Sequence, residues 1–140
     1  MNGSGKGSGI LGGNPAIWGP PAAVAVGIFI LSSLKGNAFP DHPEILNIAA
    51  HGVEFMVLAF VTTRAFIQSD LTTRPLQSLV WVAAVCAAFG LLDELHQFSI
   101  PTRQFDTLDI LADTIGAIVG SLLYLLLRER KAKGQSRETA

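Results

Sequence analysis

The sequence predicts an all-α integral membrane protein, built as a bundle of about four antiparallel transmembrane helices. Only 15% of its 140 residues are charged and 49% are hydrophobic, whereas a soluble domain carries about 25% charged residues. No charged residue occurs in Gly7–Leu34 or in Pro75–Leu92, and roughly 17–25 apolar residues are enough to cross a hydrocarbon core. These continuous apolar runs lack the alternation of a transmembrane barrel, so the spans are expected to be helices.

Clusters of proline, glycine and polar residues divide the chain into four predicted spans. The spans are about Ile17–Leu34, Glu44–Phe66, Leu76–Phe98 and Asp106–Leu127. Residues 1–16, rich in glycine and serine, are predicted to form a flexible tail, residues 17–127 the membrane domain, and residues 128–140 a basic cytoplasmic tail. The short connections make successive helices antiparallel neighbours. The first run ends without a small-x-small cleavage site, which favours a retained span over a signal peptide.

The basic residues are distributed unevenly between the two sides of this topology. Lys35 and Arg103 fall on one side, and the other eight of the ten fall on the opposite side: Lys6, Arg64, Arg74, Arg128, Arg130, Lys131, Lys133 and Arg137. Since basic loops remain in the cytoplasm, both termini are expected to be cytoplasmic.

The three histidines and eight of the eleven acids collect on the predicted outer side. The acids are Asp41, Glu44, Glu54, Asp93, Glu94, Asp106, Asp109 and Asp113. At about 1.5 Å per residue, His51, Asp93 and Asp113 lie at similar depths on three different spans. Within each span the polar residues are three or four positions apart and therefore share one helix face. Because ionisable groups that face lipid are costly, we expect these faces to turn towards one another.

The candidate polar site on these faces consists of His51, Glu54, Asp93, Glu94, Gln97, Arg103, Asp109 and Asp113. Three interpretations are open. The residues form a structural network of hydrogen bonds and ion pairs, with Arg103 beside Asp93 or Asp109. Alternatively, they bind a polar or anionic headgroup through Arg103. The third interpretation is a divalent-metal site built from oxygen and imidazole ligands: His51, Glu54, Asp93 and Asp113.

The sequence does not decide whether this site is catalytic. The histidine and acid spacing matches no metalloprotease motif, and no Ser-His-Asp arrangement is present, so neither a catalytic role nor a cofactor is assigned. The single cysteine, Cys86, lies in an apolar run and is expected to be a small buried hydrophobe. The net charge of −1 argues against a nucleic-acid partner. Gly116 and Gly120 form a small-xxx-small pattern that is typical of close helix packing, within the bundle or in a homodimer.

The third and fourth spans resemble those of the VanZ-like family of bacterial membrane proteins. The resemblance rests on an acidic pair, a glutamine, a Pro-x-Arg turn, two further acids and two glycines: Asp93, Glu94, Gln97, Pro101, Arg103, Asp109, Asp113, Gly116 and Gly120. His51, Glu54 and Phe55 fall where the family has His, often Glu, and Tyr. The chain departs from the family pattern in having Asn47 and Ile48 for Asp-Lys, Thr102 for Gly, Phe55 for Tyr and Asp113 for Asn.

The resemblance implies a location in the membrane and a connection with the cell envelope more firmly than it implies a reaction. The namesake of the family is associated with low-level resistance to teicoplanin, a glycopeptide that acts outside the cytoplasmic membrane. A protein similar to it is expected in the bacterial cytoplasmic (inner) membrane, with an outward-facing site that binds or acts on a cell-envelope component. Expected partners are membrane lipid and a lipid-linked envelope precursor. The alternative is a non-enzymatic accessory or scaffold subunit of a larger membrane complex.

Overall fold

The computed structural model describes residues 14–38, 44–71, 74–100 and 105–138, and almost all of them are helical. The four helices are α1 (Pro15–Ala38), α2 (Glu44–Gln68), α3 (Pro75–Phe98) and α4 (Thr107–Glu138). No β-strand occurs within these ranges, which confirms the all-α prediction. The predicted N-terminal tail lies mostly outside the described residues.

Local sequence explains where three of the helices begin. The side-chain Oδ1 of Asn14 accepts a hydrogen bond of 3.0 Å from the backbone N–H of Ala16, and the side-chain Oδ1 of Asp106 accepts one of 2.8 Å from Leu108. Both residues therefore cap a helix N-terminus. Helix α3 has an extended residue before it and begins with Pro75, whose missing N–H costs nothing in a first turn.

The fourth helix is longer than its predicted span. It continues past Leu127 through the basic segment and ends at Glu138. The residues predicted as a basic tail are thus helical as far as the structure describes them. Their exposure is high, and arginine, lysine and glutamate are good helix formers even where no membrane or core surrounds them.

All four helices are long and apolar enough to cross a membrane. Large apolar side chains point outward along each of them, among them Phe29, Val57, Trp81 and Leu123. The buried core between the helices is small and includes Phe55, Val82, Cys86 and Ala117. A chain with so little interior and so much outward apolar surface fits a lipid environment.

Successive helices run antiparallel, as the sequence predicts. The Trp18 and Phe66 rings, 5.7 Å apart, bring the start of α1 to the end of α2. The backbone N–H of Asp106 donates to Glu94, which brings the end of α3 to the start of α4. Helices α2 and α4 run parallel to each other, because Gly116 lies against Gly52 and Gly120 lies against Met56.

The close packing of α2 and α4 depends on two glycines of α4. A methyl group added to Gly116 would overlap the backbone carbonyl of Gly52, and one added to Gly120 would overlap that of Met56. Only hydrogen at these positions lets the two backbones come so near. The glycines of the small-xxx-small pattern therefore pack against α2 of the same chain.

Candidate functional site

Six of the predicted site residues come together towards the end of the bundle where α1 and α3 end and α2 and α4 begin. We call this group the acidic cluster: His51, Asp93, Glu94, Gln97, Asp109 and Asp113. Each of these residues is 2% exposed or less. Helix α2 supplies the histidine, α3 supplies Asp93, Glu94 and Gln97, and α4 supplies the other two aspartates.

Contacts between α2 and α4 form one half of the cluster. The Nδ1 atom of His51 lies 3.1 Å from Oδ1 of Asp113, and its Nε2 atom lies 3.6 Å from Oδ2 of Asp109. The side chain of Asn47, one helical turn before His51, donates a hydrogen bond of 2.9 Å to Oδ2 of Asp109. The imidazole therefore stands between two carboxylates of α4, one of them within hydrogen-bond distance.

Contacts between α1 and α3 form the other half. The hydroxyl of Ser32 donates to Oδ2 of Asp93 at 2.7 Å, and the same oxygen accepts a hydrogen bond of 2.7 Å from the side-chain amide of Gln97. The Gln97 amide also donates to the Ser32 hydroxyl. Ser32 is 3% exposed, so this part of the cluster is enclosed by α1.

Glu94 connects the two halves. Its Oε2 atom accepts a hydrogen bond of 2.9 Å from the backbone N–H of Asp106. One of its carboxylate oxygens, one ring nitrogen of His51 and one carboxylate oxygen of Asp109 all lie within 4.8 Å of one another. Three helices thus contribute one potential ligand atom each to a small volume.

Gly90 makes room for the carboxylate of Asp113. A methyl group at Gly90 would lie 2.6 Å from Oδ2 of Asp113, which is closer than atoms in van der Waals contact approach. The side chain from α4 therefore rests against the backbone of α3, one turn before Asp93. No sequence pattern singles out this glycine.

Acceptor atoms outnumber donors in the acidic cluster. It contains four carboxylates and one histidine, and the oxygens Asp93 Oδ1, Glu94 Oε1 and Asp113 Oδ2 are buried without a hydrogen bond from any described residue. A buried acceptor left unsatisfied costs about 1–3 kcal/mol. The site is therefore suited to receive protons, donor groups or a cation.

Two of the predicted site residues, Glu54 and Arg103, are not among these six. Glu54 is half-buried one turn beyond His51 and does not belong to the group of three close ligand atoms. Arg103 and the ion pairs predicted for it lie outside the described residues. Among the described residues, the three closely spaced atoms that could bind a metal belong to His51, Glu94 and Asp109. The predicted metal ligands were a different set, which shares only His51 with this one.

Two participants were not predicted from the sequence, Ser32 and Asn47. A serine at the end of an apolar helix has no partner along its own sequence that would indicate a role. Asn47 departs from the family pattern, and it lies four residues before His51 and so shares its helix face. That spacing is the sequence signal that indicates Asn47 as a member of the site.

Comparisons with known proteins agree with the resemblance seen in the sequence. The family model VanZ/LLP1 matches residues 20–128, a range that includes all six residues of the acidic cluster and both packing glycines. No curated protein and no solved structure matches the chain. The family match extends over most of the sequence, and the chain accordingly belongs to the VanZ/LLP1 family.

Proposed function

We propose that this VanZ-like membrane protein binds or acts on a component of the bacterial cell envelope through its acidic cluster, and that it thereby affects sensitivity to teicoplanin. One observation carries the proposal. Three carboxylate oxygens, on Asp93, Glu94 and Asp113, are buried in an apolar bundle without a donor from the described residues.

A purely structural network would be expected to satisfy its own acceptors. Half-satisfied buried networks are less favourable than an apolar core of the same volume. At about 1–3 kcal/mol for each unsatisfied acceptor, three of them represent a cost comparable to a large part of a small domain's stability. Polar groups that destabilise a fold in this way are typical of functional sites, where a ligand supplies the missing partners.

The distribution of basic residues supports an outward orientation of the cluster. At the opposite end of the bundle, one cavity is lined by Arg64 of α2 and by Arg128, Arg130 and Lys131 of α4. By the positive-inside rule this basic end belongs in the cytoplasm. The acidic cluster then lies at the end of the bundle nearer the outer leaflet, the side on which envelope precursors and glycopeptides are found.

The experiment that tests the proposal separates function from folding. Asp93→Asn, Arg103→Ala and wild-type protein are produced in a strain that depends on this chain for its teicoplanin response, and membrane abundance is measured alongside sensitivity. We expect both variants to lose the response at normal abundance. The control is Asp70→Asn: Asp70 is exposed at the other end of the bundle, and its φ of 57° suits asparagine equally well.

A wild-type response in Asp93→Asn at normal abundance would contradict the proposal. A different result, loss of the protein from the membrane, would favour the structural network instead.

The second candidate function is that of a non-enzymatic accessory subunit whose polar cluster holds its own helices together. It is favoured by the pattern of bonds, since Ser32 with Asp93 ties α1 to α3, and His51 with Asp113 ties α2 to α4. Purification in mild detergent distinguishes the two functions. A stoichiometric partner protein would support the accessory role, and a chain that purifies alone would count against it.

A further inference from the structure

We infer that His51, Glu94 and Asp109 form a binding site for a divalent transition-metal cation, Zn²⁺ or Mn²⁺. The inference rests on the proposed function, because it names an ion that the acidic cluster would bind. It concerns the imidazole and two of the four carboxylates, which come from α2, α3 and α4.

The spacing of the donor atoms fits a single ion. The three ligand atoms lie within 4.8 Å of one another, and Nε2 of His51 is 3.6 Å from Oδ2 of Asp109. That distance is too long for a hydrogen bond. Two ligands held about 2.0–2.2 Å from a tetrahedral ion are about 3.3–3.6 Å apart, so the observed separation has room for one metal ion bound by both.

Each of the three ligands is oriented by a second residue, as metal ligands in proteins usually are. The Nδ1 atom of His51 is 3.1 Å from Asp113, and an Nδ1–H donated to that carboxylate leaves the lone pair on Nε2, the atom that faces Asp109. Asn47 donates to the Asp109 carboxylate at 2.9 Å. The backbone N–H of Asp106 donates to Oε2 of Glu94 at 2.9 Å.

An independent observation at the site points to a ligand. Glu94 is 1% exposed, and its Oε1 atom is buried without a hydrogen bond from any described residue. A carboxylate oxygen in an apolar bundle needs a donor or a cation. The Glu94 carboxylate that carries this oxygen also has an oxygen within 4.8 Å of a ring nitrogen of His51 and a carboxylate oxygen of Asp109.

The chemistry of the donors selects the class of ion. Imidazole nitrogen with carboxylate oxygen, and no cysteine, is a set that suits Zn²⁺ or Mn²⁺. Two ionised carboxylates and a neutral imidazole carry a charge of −2, which is opposite in sign to that of a divalent cation. With three protein ligands, a tetrahedral Zn²⁺ would keep one coordination position, and an octahedral Mn²⁺ three, for water or for an oxygen atom of a ligand.

The test is a metal titration of the purified full-length chain in detergent, first freed of metal with a chelator. Mn²⁺ binding is followed by the loss of the free-ion electron paramagnetic resonance signal, and Zn²⁺ binding by competition with a chromophoric chelator. We expect one equivalent bound per chain. We expect Asp109→Asn and Glu94→Gln to weaken binding at least about tenfold, and the control Asp70→Asn to bind like the wild type.

A milder variant tests the site in case Asp109→Asn and Glu94→Gln fail to fold. Asn47→Ala removes only the side chain that orients Asp109 and is expected to weaken binding about 10–100-fold while the helical circular dichroism stays unchanged. Absence of a bound equivalent in the wild type, or wild-type affinity in both Asp109→Asn and Glu94→Gln, would overturn the inference.

The metal titration and the measurement of the teicoplanin response can fail separately. If no metal binds but Asp93→Asn loses the response, the metal site is wrong and the proposed function stands. If metal binds but no variant of the acidic cluster changes the response, the proposed function is wrong and the metal site stands.

Discussion

The packing of α4 on α2 makes a quantitative prediction about Gly120. A methyl group at this position would overlap the carbonyl oxygen of Met56, and the three nearest atoms all belong to the Met56 backbone. A backbone cannot turn aside as a side chain can, so Gly120→Ala must push the two helices apart. Overpacking of this kind costs about 1–3 kcal/mol. Because every clashing atom is backbone, we expect the upper half of that range.

The matched control is Gly27→Ala in α1. No atom lies within 4 Å of a methyl group added there, so this variant shows only the gain in helix propensity, up to about 1 kcal/mol. The difference between the two variants therefore isolates the cost of overpacking.

The assay is reversible unfolding of the purified protein in mixed micelles by increasing mole fractions of denaturing detergent, followed by helical circular dichroism. We expect the free energy of unfolding of Gly120→Ala to lie about 2–3 kcal/mol below that of Gly27→Ala. Equal stability of the two variants would refute the close contact of α2 and α4. A change confined to oligomeric state would assign the glycines to a homodimer instead.

Two further predictions follow from the site and from the topology. Gly90→Ala places a methyl group 2.6 Å from Oδ2 of Asp113 and should displace that carboxylate. We expect the variant to lose the teicoplanin response, while its free energy of unfolding changes by about 1–3 kcal/mol at most. An unaltered response would contradict the role of Asp113. Reporter fusions at Ala38 and after Lys133 should report opposite sides of the membrane, and the same side at both would contradict the orientation expected from the basic residues.

The sequence predicted the helices well because two physical signals coincide. Charge-free runs are long enough to cross a bilayer, and prolines or glycines separate them. The predicted fourth span ends at Leu127, where the hydrophobic residues end, but a helix can continue beyond the part of it that spans a membrane. The basic segment contains no proline, and α4 continues through Gly134 to Glu138.

The site could be predicted only in part. Spacings of three and four residues indicated which polar side chains share a helix face, and the structure brings His51, Asp93 and Asp113 into one cluster. Spacing along a helix does not reveal which helix packs closest to which. The contact of Ser32 with Asp93 and the room left by Gly90 depend on that packing, so neither could be read from the sequence.

The acidic cluster is proposed to bind a ligand and not merely to hold the helices together. The unfolding free energy of Asp93→Asn, measured together with the teicoplanin response of the same variant, distinguishes the two roles. If the cluster is a functional site, removing one of four crowded carboxylates should leave the stability within about 1 kcal/mol of the wild type, because less like charge is buried, and the response should be lost. If the cluster is a structural lock, the variant should lose about 1–3 kcal/mol through its broken hydrogen bonds, and molecules that remain folded should keep the response.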